Sequence, residues 1–95
     1  MLMISITSCT NYSNLGLPRG FNGRIVTIYL GSTNRSFIMS MYGNPSNSEV
    51  FPDGSRNETW VLDTSEGPCS VIIGFTQYGI VNWYNYIYHK AVKYR

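Results

Sequence analysis

From Cys69 to Thr76 the chain alternates with a period of two. Cys69, Val71, Ile73 and Phe75 stand on one side, Ser70, Ile72, Gly74 and Thr76 on the other. Successive side chains of a strand point to opposite faces, so this run reads as a half-buried strand with a glycine on its second face. A strand of this kind needs a sheet around it, and the rest of the chain offers one. Leu2, Ile4 and Ile6 share a face of a first strand over residues 2–8. Arg24 to Leu30 is rich in Ile, Val, Thr and Tyr and apolar on both faces, as a central strand is. A turn over Gly31–Arg35 leads to Ser36–Tyr42, where Phe37, Met39 and Met41 alternate, so these two segments read as a hairpin. Glu58 to Asp63 is a short strand centred on Trp60 and Leu62.

The connections carry turn chemistry. Residues 10–23 hold Asn, Ser, Gly and Pro18 and read as a loop. Residues 43–57 form a long irregular stretch with Pro45 and a Pro52-Asp53-Gly54-Ser55 turn, and loops of this length are often functional. The last segment, residues 80–94, fits two templates. As a strand it places Val81, Trp83, Ile87 and Ala91 on one face and Tyr84, Tyr86 and Tyr88 on the other. As a helix it gathers Ile80, Trp83, Tyr84, Ile87, Tyr88 and Ala91 into one stripe, with Lys90, Lys93 and Arg95 at the negative end of the dipole. Its Tyr, Trp, Asn, Ile and Val favour the strand. About six short strands with Gly/Pro/Asn turns predict an all-β fold, a small antiparallel sandwich or barrel forming a single domain over residues 1–95 without a linker.

At 95 residues the chain buries one modest core. Charged residues are 13%, about half the usual share. With 15% aromatics, that excludes a disordered charged tail. The longest uncharged stretch, residues 67–88, is broken by Gly, Pro, Asn, Gln and Ser and makes a poor bilayer span. A net charge of +2 is too small for a duplex-DNA reader. Trp83, Tyr84, Tyr86 and Tyr88 with Lys90, Lys93 and Arg95 have the ingredients of a single-strand binder, but no groove-wide basic field accompanies them. The charge is segregated: residues 1–48 hold three arginines and no acid, residues 49–66 hold all five acids and Arg56, and residues 67–95 hold Lys90, Lys93 and Arg95. This is either solvated loop charge or a complementary pair of patches suited to head-to-tail assembly.

Two cysteines, Cys9 and Cys69, lie outside any CxxC pair. They read either as one disulfide, worth about 4 kcal/mol by loop entropy, or as two buried thiols. Sequons at Asn11, Asn34 and Asn57 point weakly to a secreted or virion-associated protein. Ile6-Thr7-Ser8-Cys9 resembles a lipobox, but the stretch before it is short for a signal peptide.

Catalytic sets are missing. His89 is the sole histidine and stands beside Lys90, where it reads as a surface residue, and no G-x-S-x-G elbow exists. Glu58 with Asp53 or Asp63 could pair as glycosidase carboxylates, but so short a chain leaves little room for the cleft. Asp53 to Glu58 spaces oxygens like the start of a calcium loop, yet the sixth position is Glu58 and the twelfth Thr64, which excludes an EF-hand. No phosphate-binding fingerprint, metal set or cofactor motif is present, and the expectation is a non-enzyme without cofactors.

Half of the fourteen aromatics lie between Phe75 and Tyr94. The run Asn82-Trp83-Tyr84-Asn85-Tyr86-Ile87-Tyr88-His89-Lys90 resembles the aromatic membrane-contact run of actinoporin-like cytolysins. The resemblance covers under a tenth of the chain and needs a gap, and it implies at most lipid-headgroup contact through Tyr84, Tyr86 and Tyr88. The residues themselves point first to a recognition module for a polar ligand, and first among such ligands to a glycan. Trp83, Tyr84, Tyr86 and Tyr88 are the ring platform, with Asn82, Asn85, Asp53 and Asn57 as polar partners. A large ring in a strand also serves sheet packing, which is the competing reading of the tyrosines. Two other functions fit the same surface. One is a self-assembling virion decoration or filament subunit, with residues 1–8 adding to a neighbour's sheet edge. The other is a small inhibitor or effector that covers a larger protein partner.

Overall fold

The structure, a computed structural model, describes residues 16–89. A short helix, α1 (Arg35–Tyr42), precedes four strands: β1 (Asn47–Val50), β2 (Arg56–Thr64), β3 (Gly67–Phe75) and β4 (Val81–Tyr88). The strands form one open antiparallel sheet in the order β1-β2-β3-β4. Each neighbour in sequence is a neighbour in space, which is the arrangement short hairpin turns permit.

The alternation of β3 decides which face is buried. Cys69, Val71, Ile73 and Phe75 face inward with Trp60 and Val81, and α1 lays Ile38, Met41 and Tyr42 over them, with Val26 alongside. Trp60 is the centrepiece: its indole N–H donates to the Gly43 carbonyl at 2.9 Å, and its ring centroid lies 6.3 Å from Tyr42 and 6.4 Å from Phe75, the latter edge-on. The Tyr42 hydroxyl donates to the Pro18 carbonyl at 2.6 Å, so a ring buried among apolar neighbours keeps its polar tip satisfied. Burial pushes the Tyr42 phenol far above its ordinary range.

One charge is buried with these side chains. The Glu58 carboxylate is inaccessible to solvent and accepts from Arg35 Nε at 2.5 Å, Arg35 Nη2 at 2.9 Å and Ser48 Oγ at 2.7 Å. Arg56 stands 3.6 Å away. The fork joins the first residue of α1 to the middle of the sheet. Burial pushes the Glu58 carboxyl up, but the hydrogen bonds from Arg35 and Ser48 and the charges of Arg35 and Arg56 outweigh it and hold the group below its usual range.

Several expectations change. Ser36–Tyr42 is not a hairpin strand but part of α1. Its alternating Phe37, Met39 and Met41 compete with an i, i+3, i+4 stripe of Ile38, Met41 and Tyr42, and the ends settle the contest. Asn34 caps the helix, its Oδ1 accepting from the Phe37 N–H at 2.9 Å, and Gly43 ends it at a φ of 79° with its N–H on the Met39 carbonyl. Arg24–Leu30 joins no ladder among the described residues; Val26 is buried while Ile25 and Tyr29 are exposed. The irregular stretch 43–57 contains β1 and the first two residues of β2. Residues 80–94 resolve as a strand over Val81–Tyr88. The strand expected over residues 2–8 lies outside the described residues, as do Cys9, Ala91, Lys93 and Arg95. In place of a six-stranded sandwich or barrel, the described residues build a mostly β unit, one open sheet with a helix on one face. The helix occupies the inner face that a second sheet would have to cover.

Candidate functional site

The outer face of the sheet carries no helix, and the strand register sets its rows. Asn57, Gly74 and Trp83 lie side by side across β2, β3 and β4, followed by Thr59, Ile72 and Asn85, then Val61, Ser70 and Ile87. Glu49 and Asn47 extend the first two rows onto β1. Paired residues of antiparallel strands share a face, so these side chains form one surface.

Its most constrained point is Gly74. A Cβ placed there would lie 2.0 Å from Trp83 Nε1, 2.4 Å from Cδ1 and 2.6 Å from Cε2, so the pyrrole ring of the indole fills the space over the glycine backbone. Gly74 is buried beneath the ring, and Trp83 remains 40% exposed. Only glycine permits this approach, and the tryptophan repairs the hole glycine leaves in a strand. No acceptor among the described residues takes the indole N–H. Asn57 flanks the glycine on the side away from Trp83. Asn85, one row on, accepts the Tyr86 N–H on its Oδ1 at 2.9 Å.

A bulge sets the phase. Gly74 pairs with Trp83 and Phe75 with Val81, which leaves Asn82 as an extra residue in β4. Val81 therefore points into the core, with no exposed surface, while Trp83 points outward. Regular alternation would place both on one face, as expected from sequence, and the slip of one residue at Asn82 separates them.

The residues expected to act together are divided by the sheet. Trp83, Asn85 and Asn57 share the open face. Tyr84, Tyr86 and Tyr88 pair with Ile73, Val71 and Cys69 and so share the core face. Tyr86 and Tyr88 pack against the core and meet edge-on at 6.1 Å. The Tyr88 hydroxyl donates to the Gly16 carbonyl at 2.9 Å. Burial raises both phenols above their usual range. Tyr84 is the most open of the three, at 37%. Asn82 is exposed in the bulge. Asp53 sits in the turn before β2, where its carboxylate accepts from the Ser55 hydroxyl at 2.6 Å and the Ser55 N–H at 2.9 Å. Those bonds hold it below the usual carboxylate range.

Other sequence candidates also find places. Cys69 is a buried free thiol, pushed up to about 11 by burial. His89 lies on the open side, with Nε2 2.8 Å from Ser70 Oγ. Among the described residues no group of three or more His, Cys, Asp or Glu side chains could hold a metal ion, and no helix is long and apolar enough to cross a membrane. Sequence reasoning did not find two features. One is the stacking of Trp83 on Gly74, signalled only by a glycine inside an apolar strand. The other is a cleft of about 620 Å³ between residues 17–23 and the β2–β3 hairpin, into which Phe21, Asp63, Glu66 and Tyr88 contribute. No family model, no curated protein and no solved structure matches the chain.

Proposed function

We propose that this protein is a non-enzymatic recognition module that binds a neutral, polar ligand, a glycan, on the open face of its sheet. The observation that supports this reading is the Trp83 ring, backed by Gly74 and accompanied by Asn57 and Asn85 on a face whose centre carries no charge. A fixed aromatic plane offers apolar contact to the C–H face of a sugar without an ordering cost at binding. Amides supply donors and acceptors to hydroxyls, and Ile72 and Ile87 keep the surroundings dry. The tyrosines do not belong to this platform; they serve the core margin, and Asp53 serves its own turn.

The test is a glycan array followed by calorimetry on the best hit. Trp83→Ala is expected to weaken binding at least tenfold, and Asn57→Ala and Asn85→Ala several-fold each, while Tyr86→Ala leaves affinity unchanged in protein that remains folded. Unaltered affinity in Trp83→Ala, or no glycan bound at millimolar concentration, overturns the reading.

A further inference from the structure

Strand β2 has nine residues and β1 four, and β1 pairs only with Arg56–Thr59. The rest of β2, Trp60–Thr64, has no ladder partner on that side among the described residues. The Ser46 N–H donates to the Thr59 carbonyl at 2.7 Å, which fixes the odd-numbered residues of β2 as those whose main chain points away from β3. The Val61 N–H reaches the Ser46 hydroxyl at 3.4 Å, at the limit of a hydrogen bond. The Val61 carbonyl and both main-chain groups of Asp63 find no partner among the described residues.

The 620 Å³ cleft takes in Val61–Glu66, the end of this edge and its turn, and is lined as well by Leu17, Arg19, Tyr88 and Phe21, which is 77% exposed. Asp63 and Glu66 line it and neither makes an ion pair among the described residues. Arg19 is turned to the Gly23 carbonyl at 3.1 Å. A strand edge that is unpaired among the described residues and borders a cleft with a net negative rim is suited to an extended segment that brings a backbone ladder and positive side chains.

The chain carries such a segment. Residues 90–95 hold Lys90, Lys93 and Arg95 and no acid. Within one copy the segment cannot lie along this edge. The slot beside β2 is three strand spacings from β4, about 14 Å. Six residues reach at most about 20 Å, so fewer than two remain to lie along the edge. We propose that the open β2 edge receives residues 90–95 of a second copy, in a head-to-tail contact that continues the sheet beyond the end of β1. Such a contact is heterologous: each copy offers one edge and one basic segment, so the assembly closes into a ring or grows as a filament.

The experiment is light scattering after size exclusion, on the full chain, over a range of protein concentration and at low and high salt. The unaltered chain is expected to exceed monomer mass as concentration rises, and to lose mass at high salt. The edge variant D63K/E66K and the segment variant K90E/K93E/R95E, each shown folded by circular dichroism, are each expected to run as monomers. In their equal mixture both contacts again join opposite charges. The cationic segment of the edge variant meets the acidic edge of the segment variant, and the anionic segment of the segment variant meets the lysine edge of the edge variant, so the mixture is expected to regain mass with the two variants alternating. Three results overturn the proposal: an unaltered chain that is monomeric at millimolar concentration, folded variants that assemble as before, or a mixture that stays monomeric.

Discussion

Substitution of Gly74 by alanine isolates the Trp83 contact. The new methyl group would stand 2.0 Å from Nε1, so the indole must lift off the sheet. A tryptophan covers about 150–250 Å² when buried. Re-exposing about 100 Å² of ring and backbone costs about 2.5 kcal/mol at 25 cal/mol per Å². Alanine returns about 0.5–1 kcal/mol, because glycine loses more backbone freedom on folding. The net loss is about 1.5–2 kcal/mol, a fall of about 0.5–2 M in the urea midpoint for a small domain. Circular dichroism is the suitable probe, since it does not depend on the fluorescence of the displaced ring. The decisive comparison is a double-mutant cycle with Trp83→Ala. Without the indole, Gly74→Ala meets no obstacle and should be neutral or stabilising by about 0.5–1 kcal/mol, giving a coupling of about 2 kcal/mol. Equal costs in the two backgrounds would refute the reasoning, because the strain would then belong to the backbone and not to the ring.

The remaining predictions concern the core and the helix. Arg35→Ala should destabilise the protein by about 2–3 kcal/mol in urea titrations at pH 7, less than the usual penalty for breaking a buried pair because Ser48 and Arg56 still face Glu58. The depressed Glu58 carboxyl means that the unfolded chain takes up the proton first on acidification. Its contribution is thus complete above pH 4.5, the ordinary value, and is lost as pH falls through the folded one; Glu58→Gln should flatten the acid limb of midpoint against pH. Cys69 runs the other way: the unfolded thiol ionises near 9 and the folded one at about 11, so stability should fall by about 2–3 kcal/mol across that interval. Cys69→Ala should remove much of that slope, leaving the part due to Tyr42, and in a Cys9→Ser chain iodoacetamide should label Cys69 only on unfolding. Asn34→Ala removes the cap of α1 and should cost about 1 kcal/mol, read from the thermal midpoint.

The strands that were legible are those whose alternation coincides with burial. In β3 the residues Cys69, Val71, Ile73 and Phe75 are all buried, so pattern and packing agree. The final strand was legible through its β-favouring residues, even with a helical stripe in competition. Ser36–Tyr42 deceives because seven residues are too few to separate a period of two from one of 3.6. Asn34 before it and Gly43 after it are ordinary helix punctuation, and they carried the information that the apolar positions did not. Arg24–Leu30 has strand composition, but composition does not supply a ladder partner. At the site, grouping Trp83 with Tyr84 and Tyr86 by ring type sets aside what a strand does with adjacent residues, which is to part them. What no local pattern could reveal is the pairing of Gly74 with Trp83, since that depends on the length of the turn between β3 and β4 and on the bulge at its end.

The bulge at Asn82 also makes β4 unequal in its tolerance of changes in length. Gly74 and Phe75 are consecutive, and their partners Trp83 and Val81 are separated by that one residue. Removing Asn82 leaves a regular ladder in which every side chain keeps its face. An insertion or deletion between Trp83 and Tyr88 has the opposite effect: it turns over all that follows, bringing tyrosines to the surface and Asn85 or Ile87 to the core. In a lineage of such chains, Asn82 is the position in this strand where a codon can be lost at little cost, and the six residues after it, Trp83–Tyr88, form a block whose length is held fixed by the two faces it must serve.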